Sequence, residues 1–170
     1  MNPLESLLAE GIRAGLHPGA QLYASLNGRC VLDLASGEAR AGVPMTSDTP
    51  TLWMSAGKPV TAAAALMCVE RGTLSLDARV ADLIPGFAQN GKESVTIRHI
   101  LTHTAGFRGP LNNFTPGPFE QIVERVNGLR LDPGWVPGKK AGYRIGSSWF
   151  TLGGVVRIAS GMPVGRFIRA

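Results

Sequence analysis

An Asn-Gly pair at residues 27 and 28 separates two short segments with the residue pattern of β-strands, residues 21–26 and 30–34. Asn-Gly supplies the two positive-φ residues that a type I′ turn requires. These segments are therefore predicted to form a β-hairpin. Because a two-stranded hairpin is at best marginally stable alone, further strands or a covering helix must accompany it.

The apolar residues elsewhere in the chain recur at the spacing of helices, and no segment after the hairpin has a strand pattern. Residues 36–50 are rich in turn residues. The strongest helix begins near Pro59, which fits only a first helical turn, and ends at Gly72. It is apolar nearly all round, which predicts that it is buried. The other predicted helices cover residues 3–15, 95–102, 119–128 and 148–159. Residues 74–85 are predicted to form a short loop and helix, and a new apolar period begins at Val164.

The predicted fold class is α+β, an antiparallel sheet with a helical domain. Residues 1–50 are assigned to the N-terminal helix and hairpin of the sheet domain, and residues 51–170 to the helical domain. The strands that would complete the sheet are expected beyond Ala170 in a longer natural chain. The alternative is that helices cover both edges of the hairpin.

The composition of the 170 residues narrows the classes of function. Hydrophobic residues make up 44% and charged residues 17%, which excludes a disordered chain. A net charge of +5 permits nucleic-acid binding, but the basic residues are scattered singly apart from Lys139-Lys140, and aromatic residues are only 6%. We therefore expect no nucleic-acid partner.

The sequence carries no sign of a membrane or export segment. The longest strongly apolar stretch, Val60–Val69, is about half of what a bilayer requires. The N-terminus carries Glu5 and Glu10 where a signal peptide would have basic residues. We therefore expect a cytoplasmic protein in which Cys30 and Cys68 are reduced, buried thiols and not a disulfide.

Ser55 and Lys58 lie three residues apart where the long apolar helix begins, so their side chains would share one helix face. Serine becomes a nucleophile when a base takes its proton, and lysine can be that base when its surroundings lower its pKa. The positive end of the helix would favour a developing oxyanion. The pattern is common, however, and by itself fits a helix cap at Ser55 beside a solvated Lys58.

The neighbouring motifs favour the catalytic interpretation. Ser55-Ala-Gly-Lys-Pro-Val-Thr-Ala is followed by Val69-Glu-Arg-Gly-Thr-Leu-Ser-Leu-Asp and by Val95-Thr-Ile-Arg-His-Ile-Leu-Thr-His-Thr-Ala-Gly. This succession closely resembles the serine β-lactamase-like superfamily, which holds class C β-lactamases, penicillin-binding peptidases and family VIII carboxylesterases. The resemblance runs from about Pro18 onward. It implies a β-lactamase/transpeptidase-like fold, of which this chain is an N-terminal portion.

The resemblance also implies a third site residue. In this family a Tyr-x-Asn motif follows a Pro-Gly pair, and here Pro137-Gly138 precedes Tyr143. The phenolate of Tyr143, held by Lys58, would share the role of general base to Ser55 and return the proton to the leaving group. The alternative is a core tyrosine with a satisfied hydroxyl. The implied enzyme is a serine hydrolase with an acyl-enzyme intermediate, catalytic residues Ser55, Lys58 and Tyr143, and no cofactor or metal.

Two departures from the family pattern bear on the substrate. Ile145 stands where lactamases and peptidases carry the Asn whose amide contacts the substrate carbonyl, which favours an esterase-like or acyl-transfer member. The Lys-Thr-Gly motif or its His/Trp-x-Gly variant, on the strand that supplies the second oxyanion-hole N–H, has no counterpart before Ala170.

The expected partner is a small-molecule ester, amide or β-lactam. Its pockets would draw on loops such as residues 107–118. The alternative function is a catalytically incomplete or non-catalytic binding or sensor relative.

Two histidines have a spacing that could bind zinc. His99 and His103 are four residues apart, but no Glu follows His99 as it does in zinc hydrolases. A structural role near the helix end is therefore predicted for both. The family resemblance implies that residues 103–106, His-Thr-Ala-Gly, form a turn.

Overall fold

The computed structural model describes residues 3–107, 117–144 and 146–170. The chain forms two compact units, Met1–Leu52 and Trp53–Ala170. The first contains the sheet, and the second contains the helices that carry the candidate site.

The first unit consists of one helix and an antiparallel sheet with strand order β1-β2-β3. Its elements are α1 (Pro3–Arg13), β1 (Gly19–Leu26), β2 (Arg29–Arg40) and β3 (Val43–Pro44). The predicted hairpin is confirmed, because Leu26 pairs with Arg29 across a turn in which Asn27 and Gly28 have φ angles of 50° and 75°. Both angles are positive, as a type I′ turn requires.

The sheet has one strand more than the sequence pattern predicts. β2 continues to Arg40, and β3 pairs with its end through Arg40 and Val43. The prediction of no later strand was wrong, because Gly37 does not end β2. Gly37 stays paired with Gly19 at a φ of 79°, a conformation open to glycine, and a Cβ there would overlap with the Pro18 carbonyl. Within the described residues no further strand follows Pro44, although two isolated bridges do.

The second unit is built around one central helix. Its described elements are a 3₁₀ turn (Met54–Gly57), α2 (Lys58–Glu70), α3 (Val80–Leu83), a 3₁₀ turn (Gln89–Gly91), α4 (Ile97–Leu101), α5 (Phe119–Asn127), α6 (Ser147–Ser160) and α7 (Val164–Phe167). The helix α6 contacts α2, α3, α4, α5 and α7. Gly153 and Gly154 allow this close packing, since a Cβ at Gly153 would lie 3.1 Å from the Phe119 ring.

The helix α2 is buried on one face only. Ala64, Ala65 and Cys68 are buried, whereas Leu66 and Met67 are 47% and 41% exposed. The expectation of a helix buried all round was wrong. Because apolar residues lie on nearly all sides of this helix, its sequence does not show which face packs against the core. The extent of its burial therefore cannot be inferred from the sequence pattern alone.

The structure confirms that the two cysteines do not form a disulfide, but only one of them is buried. Both are free thiols, but Cys68 is buried and Cys30 is exposed. Cys30 lies near the start of β2, where Arg29, Cys30 and Val31 are all exposed. The expectation that both thiols are buried was therefore wrong for Cys30.

The helix α4 begins at Ile97, two residues later than the predicted helix over residues 95–102, and Thr96 caps it. The Thr96 hydroxyl accepts the His99 N–H at 3.3 Å, and His99 Nδ1 accepts the Thr96 N–H at 3.2 Å. This reciprocal pair is a capping box in which a histidine takes the usual place of Glu or Gln. The structural role predicted for His99 is confirmed.

A buried lysine joins the second 3₁₀ turn to the end of α5. Lys92 is fully buried, and its ammonium donates to the carbonyls of Gln89 at 2.7 Å, Asn127 at 2.9 Å and Leu129. A cation is favoured there because the last carbonyls of a helix lack intrahelical partners. Burial lowers the pKa of Lys92 to about 8, which leaves the ammonium charged at pH 7.

Replacement of Lys92 by Met is expected to lower the free energy of unfolding by about 2–4 kcal/mol, because the carbonyls of Gln89, Asn127 and Leu129 lose a charged donor. Urea unfolding measures the change. Lys139→Met, at an exposed lysine, is the matched control and should shift stability by less than about 0.5 kcal/mol. Equal losses in the two variants would contradict this role of Lys92.

Candidate active site

The 3₁₀ turn and the start of α2 bring Ser55 and Lys58 together. Lys58 Nζ donates a hydrogen bond to Ser55 Oγ at 2.9 Å. The two residues do not share one α-helix, because Ser55 lies in the 3₁₀ turn that leads into α2. The next residue after Lys58 is Pro59, which the first turn of α2 accommodates.

Tyr143 meets the same serine from a distant part of the chain. Its hydroxyl donates to Ser55 Oγ at 2.7 Å, and Lys58 Nζ lies 5.0 Å from the centre of its ring. Tyr143 is 53% exposed, so the alternative interpretation of a core tyrosine was wrong. The three residues singled out in the sequence thus form one hydrogen-bonded group on the second unit.

Lys58 determines the electrostatics of this group. Its hydrogen bond to Tyr143 is the main cause of a lowered Tyr143 pKa, and the Ser55 hydrogen bond and the positive charge of Lys58 act in the same direction. The pKa of His103 is also lowered, first by burial and then by the charge of Lys58. The imidazole of His103 is therefore neutral at pH 7.

The loop before Tyr143 is fixed by hydrogen bonds to the predicted turn. We call residues 132–143 the Tyr143 loop and residues 103–106 the histidine turn. Four loop donors bind carbonyls of that turn: Asp132 N–H to Gly106 (2.8 Å), Trp135 Nε1–H to Thr104 (3.0 Å), Gly138 N–H to Thr104 (3.1 Å) and Gly142 N–H to His103 (2.8 Å). The loop is held at both ends, and Tyr143 directly follows the last bond.

The side chain of Trp135, in the Tyr143 loop, packs against the histidine turn. Its indole packs on Gly106, where a Cβ would overlap with the ring and where φ is 80°. Lys140 Nζ lies 4.6 Å and the Arg144 guanidinium 5.0 Å from the indole centre. Arg144 also forms an ion pair with Asp132. The position of Tyr143 therefore depends on a glycine at residue 106.

Gly106→Ala is expected to destabilise the second unit more than Gly134→Ala. Gly134 has a similar φ of 67° but open space around its Cβ position, so alanine costs only backbone strain of about 1–2 kcal/mol. At Gly106 the overlap with Trp135 adds about 1–3 kcal/mol. Urea unfolding of both variants measures the difference. Equal destabilisation would show that the contact between Trp135 and Gly106 is unimportant.

Sequence reasoning missed two aromatic neighbours of the site. His103 was placed in a turn, which is what the structure shows, but its ring also lies 4.8 Å from that of Tyr143. Trp149, on the first turn of α6, lies 5.6 Å from His103 and 6.0 Å from Lys58 Nζ. Neither contact has a local sequence signal, because the residues lie on separate elements.

Three further expectations concern a metal site, a membrane-spanning helix and the substrate loop. Within the described residues no group of three or more His, Cys, Asp or Glu side chains could hold a metal ion. In the same part of the chain no helix is both long and apolar enough to cross a bilayer. Ile145, and residues 108–116 of the predicted substrate loop, lie outside the described residues.

The fold and the serine group define a serine β-lactamase-like protein, and comparison with known proteins agrees. The profile of the family described as Beta-lactamase matches residues 4–170. The chain belongs to this family, so the resemblance seen in the sequence is confirmed.

The similar proteins include esterases. The chain is 31% identical over 145 residues to Esterase/beta-lactamase LipL of Mycobacterium tuberculosis, covering 84% of this chain and 34% of LipL. It is 29% identical over 187 residues to Esterase EstB of Burkholderia gladioli, covering 98% of this chain and 47% of EstB. The chain thus spans less than half the length of each of these two relatives.

Solved structures share the fold. "EstCE1, a hydrolase with promiscuous acyltransferase activity" matches with a TM-score of 0.83 at 24% identity, over 98% of this chain and 48% of that one. A family VIII carboxylesterase matches with a TM-score of 0.74 at 26% identity, over 97% and 46% of the two chains. The predicted β-lactamase/transpeptidase-like fold, an antiparallel sheet with helices, is confirmed.

Proposed function

We propose that Ser55 is the nucleophile of a serine hydrolase that acts through an acyl-enzyme on small ester or amide substrates. One observation carries the proposal. Ser55 Oγ lies within hydrogen-bond distance of both Lys58 Nζ and Tyr143 OH, at 2.9 and 2.7 Å. An adjacent general base is one of the means by which enzymes activate a serine nucleophile, and Lys58 and Tyr143 are the groups in position to supply it.

The roles follow from the charges. Lys58 favours the phenolate of Tyr143, and that phenolate takes the proton of Ser55 as Oγ bonds to the substrate carbonyl carbon. Collapse of the tetrahedral intermediate expels the leaving oxygen or nitrogen, which receives the proton from Tyr143. The Tyr143 phenolate then takes a proton from the water that attacks the acyl-enzyme. As the second tetrahedral intermediate collapses, Tyr143 returns that proton to Ser55 Oγ, which leaves as the hydroxyl. By family resemblance, the Ser55 N–H is one oxyanion donor.

A strained residue next to the nucleophile supports a functional role. Met54 directly precedes Ser55 and has a φ of 48°, which is uncommon for a non-glycine residue and costs about 1–2 kcal/mol. Such strain concentrates at functional sites. Met54 is also 76% exposed, so burial of its side chain does not offset this strain.

An ester is the substrate class we favour over a β-lactam. Ile145 lacks the amide that contacts the carbonyl of a β-lactam or peptide in related enzymes. The names of relatives such as Esterase EstB agree with this choice. Other relatives are acyltransferases, for example mokF of Monascus pilosus, at 29% identity over 196 residues. An alcohol that replaces water in the second step would give this second activity.

Ser55→Ala should abolish covalent labelling by a fluorophosphonate, measured as intact mass, because the Ser55 hydroxyl is the group that Lys58 and Tyr143 contact. The exposed Ser25 offers a matched control, and Ser25→Ala should label like the wild type. An adduct that persists in Ser55→Ala would overturn the assignment.

The same assay with a penicillin compares the two substrate classes. An adduct with the fluorophosphonate alone would favour an esterase. In a chain that circular dichroism shows to be folded, the absence of any wild-type adduct would instead favour the alternative, an incomplete or non-catalytic binding or sensor relative.

The labelling rate should rise with pH as Tyr143 loses its proton, with a midpoint below about 10, the ordinary pKa of tyrosine. The direction follows from the lowered Tyr143 pKa, since the phenolate is the acceptor. Tyr143→Phe should slow labelling about 10²-fold and remove this rise. Tyr23→Phe, at the other tyrosine of the chain, is the control and should change neither. A pH profile retained in Tyr143→Phe would exclude Tyr143 as the base.

A further inference from the structure

His103 and Trp149 form a cluster of rings with Tyr143 beside the candidate site. The His103 ring lies 4.8 Å from the Tyr143 ring at 39°, and 5.6 Å from the Trp149 ring at 54°. Lys58 Nζ lies 5.0 Å from the Tyr143 ring and 6.0 Å from the Trp149 ring. Aromatic rings at these separations attract one another, so the cluster restrains each ring in it.

The backbone of His103 acts on the same neighbour. Its carbonyl accepts the N–H of Gly142, the residue before Tyr143, at 2.8 Å. The backbone of His103 adopts a φ of 57°, which is uncommon for a residue other than glycine. One strained residue thus holds Tyr143 in two ways, by a hydrogen bond to the backbone of the preceding Gly142 and by a ring contact to the Tyr143 side chain.

We propose that His103 is a positioning residue that holds the phenol of Tyr143 against Ser55. The inference rests on the proposed function, because it assigns His103 a part in the reaction of that same serine. Tyr143 is half-exposed, so solvent leaves one side of its ring free to move. The His103 ring limits that movement from the protein side, and Trp149 backs the His103 ring in turn.

The face of the imidazole, and not a hydrogen bond at Nδ1, carries this role. Nδ1 of His103 is buried and has no hydrogen-bond partner among the described residues. The ring is also neutral at pH 7, so it adds no second positive charge beside Lys58. A neutral aromatic ring of similar shape should therefore replace it, whereas a side chain without a ring should not.

Two substitutions separate the ring from the backbone. His103→Asn removes the ring but keeps a residue that tolerates positive φ. His103→Phe keeps an aromatic face and removes both nitrogens. Both are made in a Tyr23→Phe background, which leaves Tyr143 as the single tyrosine of the chain. Its pKa is then read from the ultraviolet absorbance of the phenolate, and the rate of Ser55 labelling by a fluorophosphonate is measured in parallel.

His103→Asn is expected to raise the Tyr143 pKa toward the ordinary tyrosine value, because the phenol moves away from Lys58 and Ser55. It should also slow labelling about 10- to 100-fold, the effect of a misplaced catalytic group. His103→Phe should keep the lowered pKa and most of the rate. An unchanged pKa in His103→Asn, or an equal change in the two variants, would overturn the proposal.

The pKa readout does not require an active serine, so the two proposals fail separately. If the wild-type protein is not labelled by the fluorophosphonate, the proposed function is wrong. The titration of Tyr143 would still test the role of His103. If His103→Asn fails to fold by circular dichroism, Trp149→Leu replaces it. That variant removes the ring behind His103 and must raise the Tyr143 pKa in the same direction, or the proposal is wrong.

Discussion

Four hydrogen bonds from the Tyr143 loop to the histidine turn are the constraint on which the site depends. Each contributes about 0.5–1.5 kcal/mol net, and together they decide where residue 143 lies. Ser55 and Lys58 are neighbours in the chain and meet through local geometry alone. Tyr143 reaches them only because carbonyls of a strained turn accept the donors of a loop that follows much later in the sequence.

The helix α6 supports both halves of this arrangement. The buried face of α2, which begins at Lys58, packs against α6. At the start of α6, the Ser147 hydroxyl donates to the carbonyl of Phe107, the residue after the histidine turn, at 3.3 Å. The core around α6 therefore fixes the serine and lysine from one side and the tyrosine from the other. The glycines Gly153 and Gly154 of α6 matter for the site because they let the neighbouring elements pack closely against α6.

The parts of the structure that sequence predicts are the local ones. The hairpin follows from Asn27-Gly28, and the contact of Ser55 with Lys58 follows from their spacing. The prediction that Tyr143 belongs to the site depended on the family resemblance, because nothing in the local sequence shows that Tyr143 lies close to Ser55. The one-sided burial of α2 and the ring contacts of His103 could not be predicted, because both depend on what packs there from elsewhere in the chain.

The hydrogen bond between Tyr143 and Ser55 joins residues 88 positions apart. The site is therefore intact only while the Tyr143 loop is in its folded position, so local opening of that loop disrupts the site. A loop tied by few bonds at the surface opens more readily than the core, at a free energy below that of global unfolding. Each opening separates the tyrosine from the serine while the helices stay folded. The equilibrium constant for that opening, which amide hydrogen exchange in the Tyr143 loop reports, thus limits the fraction of molecules that are competent at any instant.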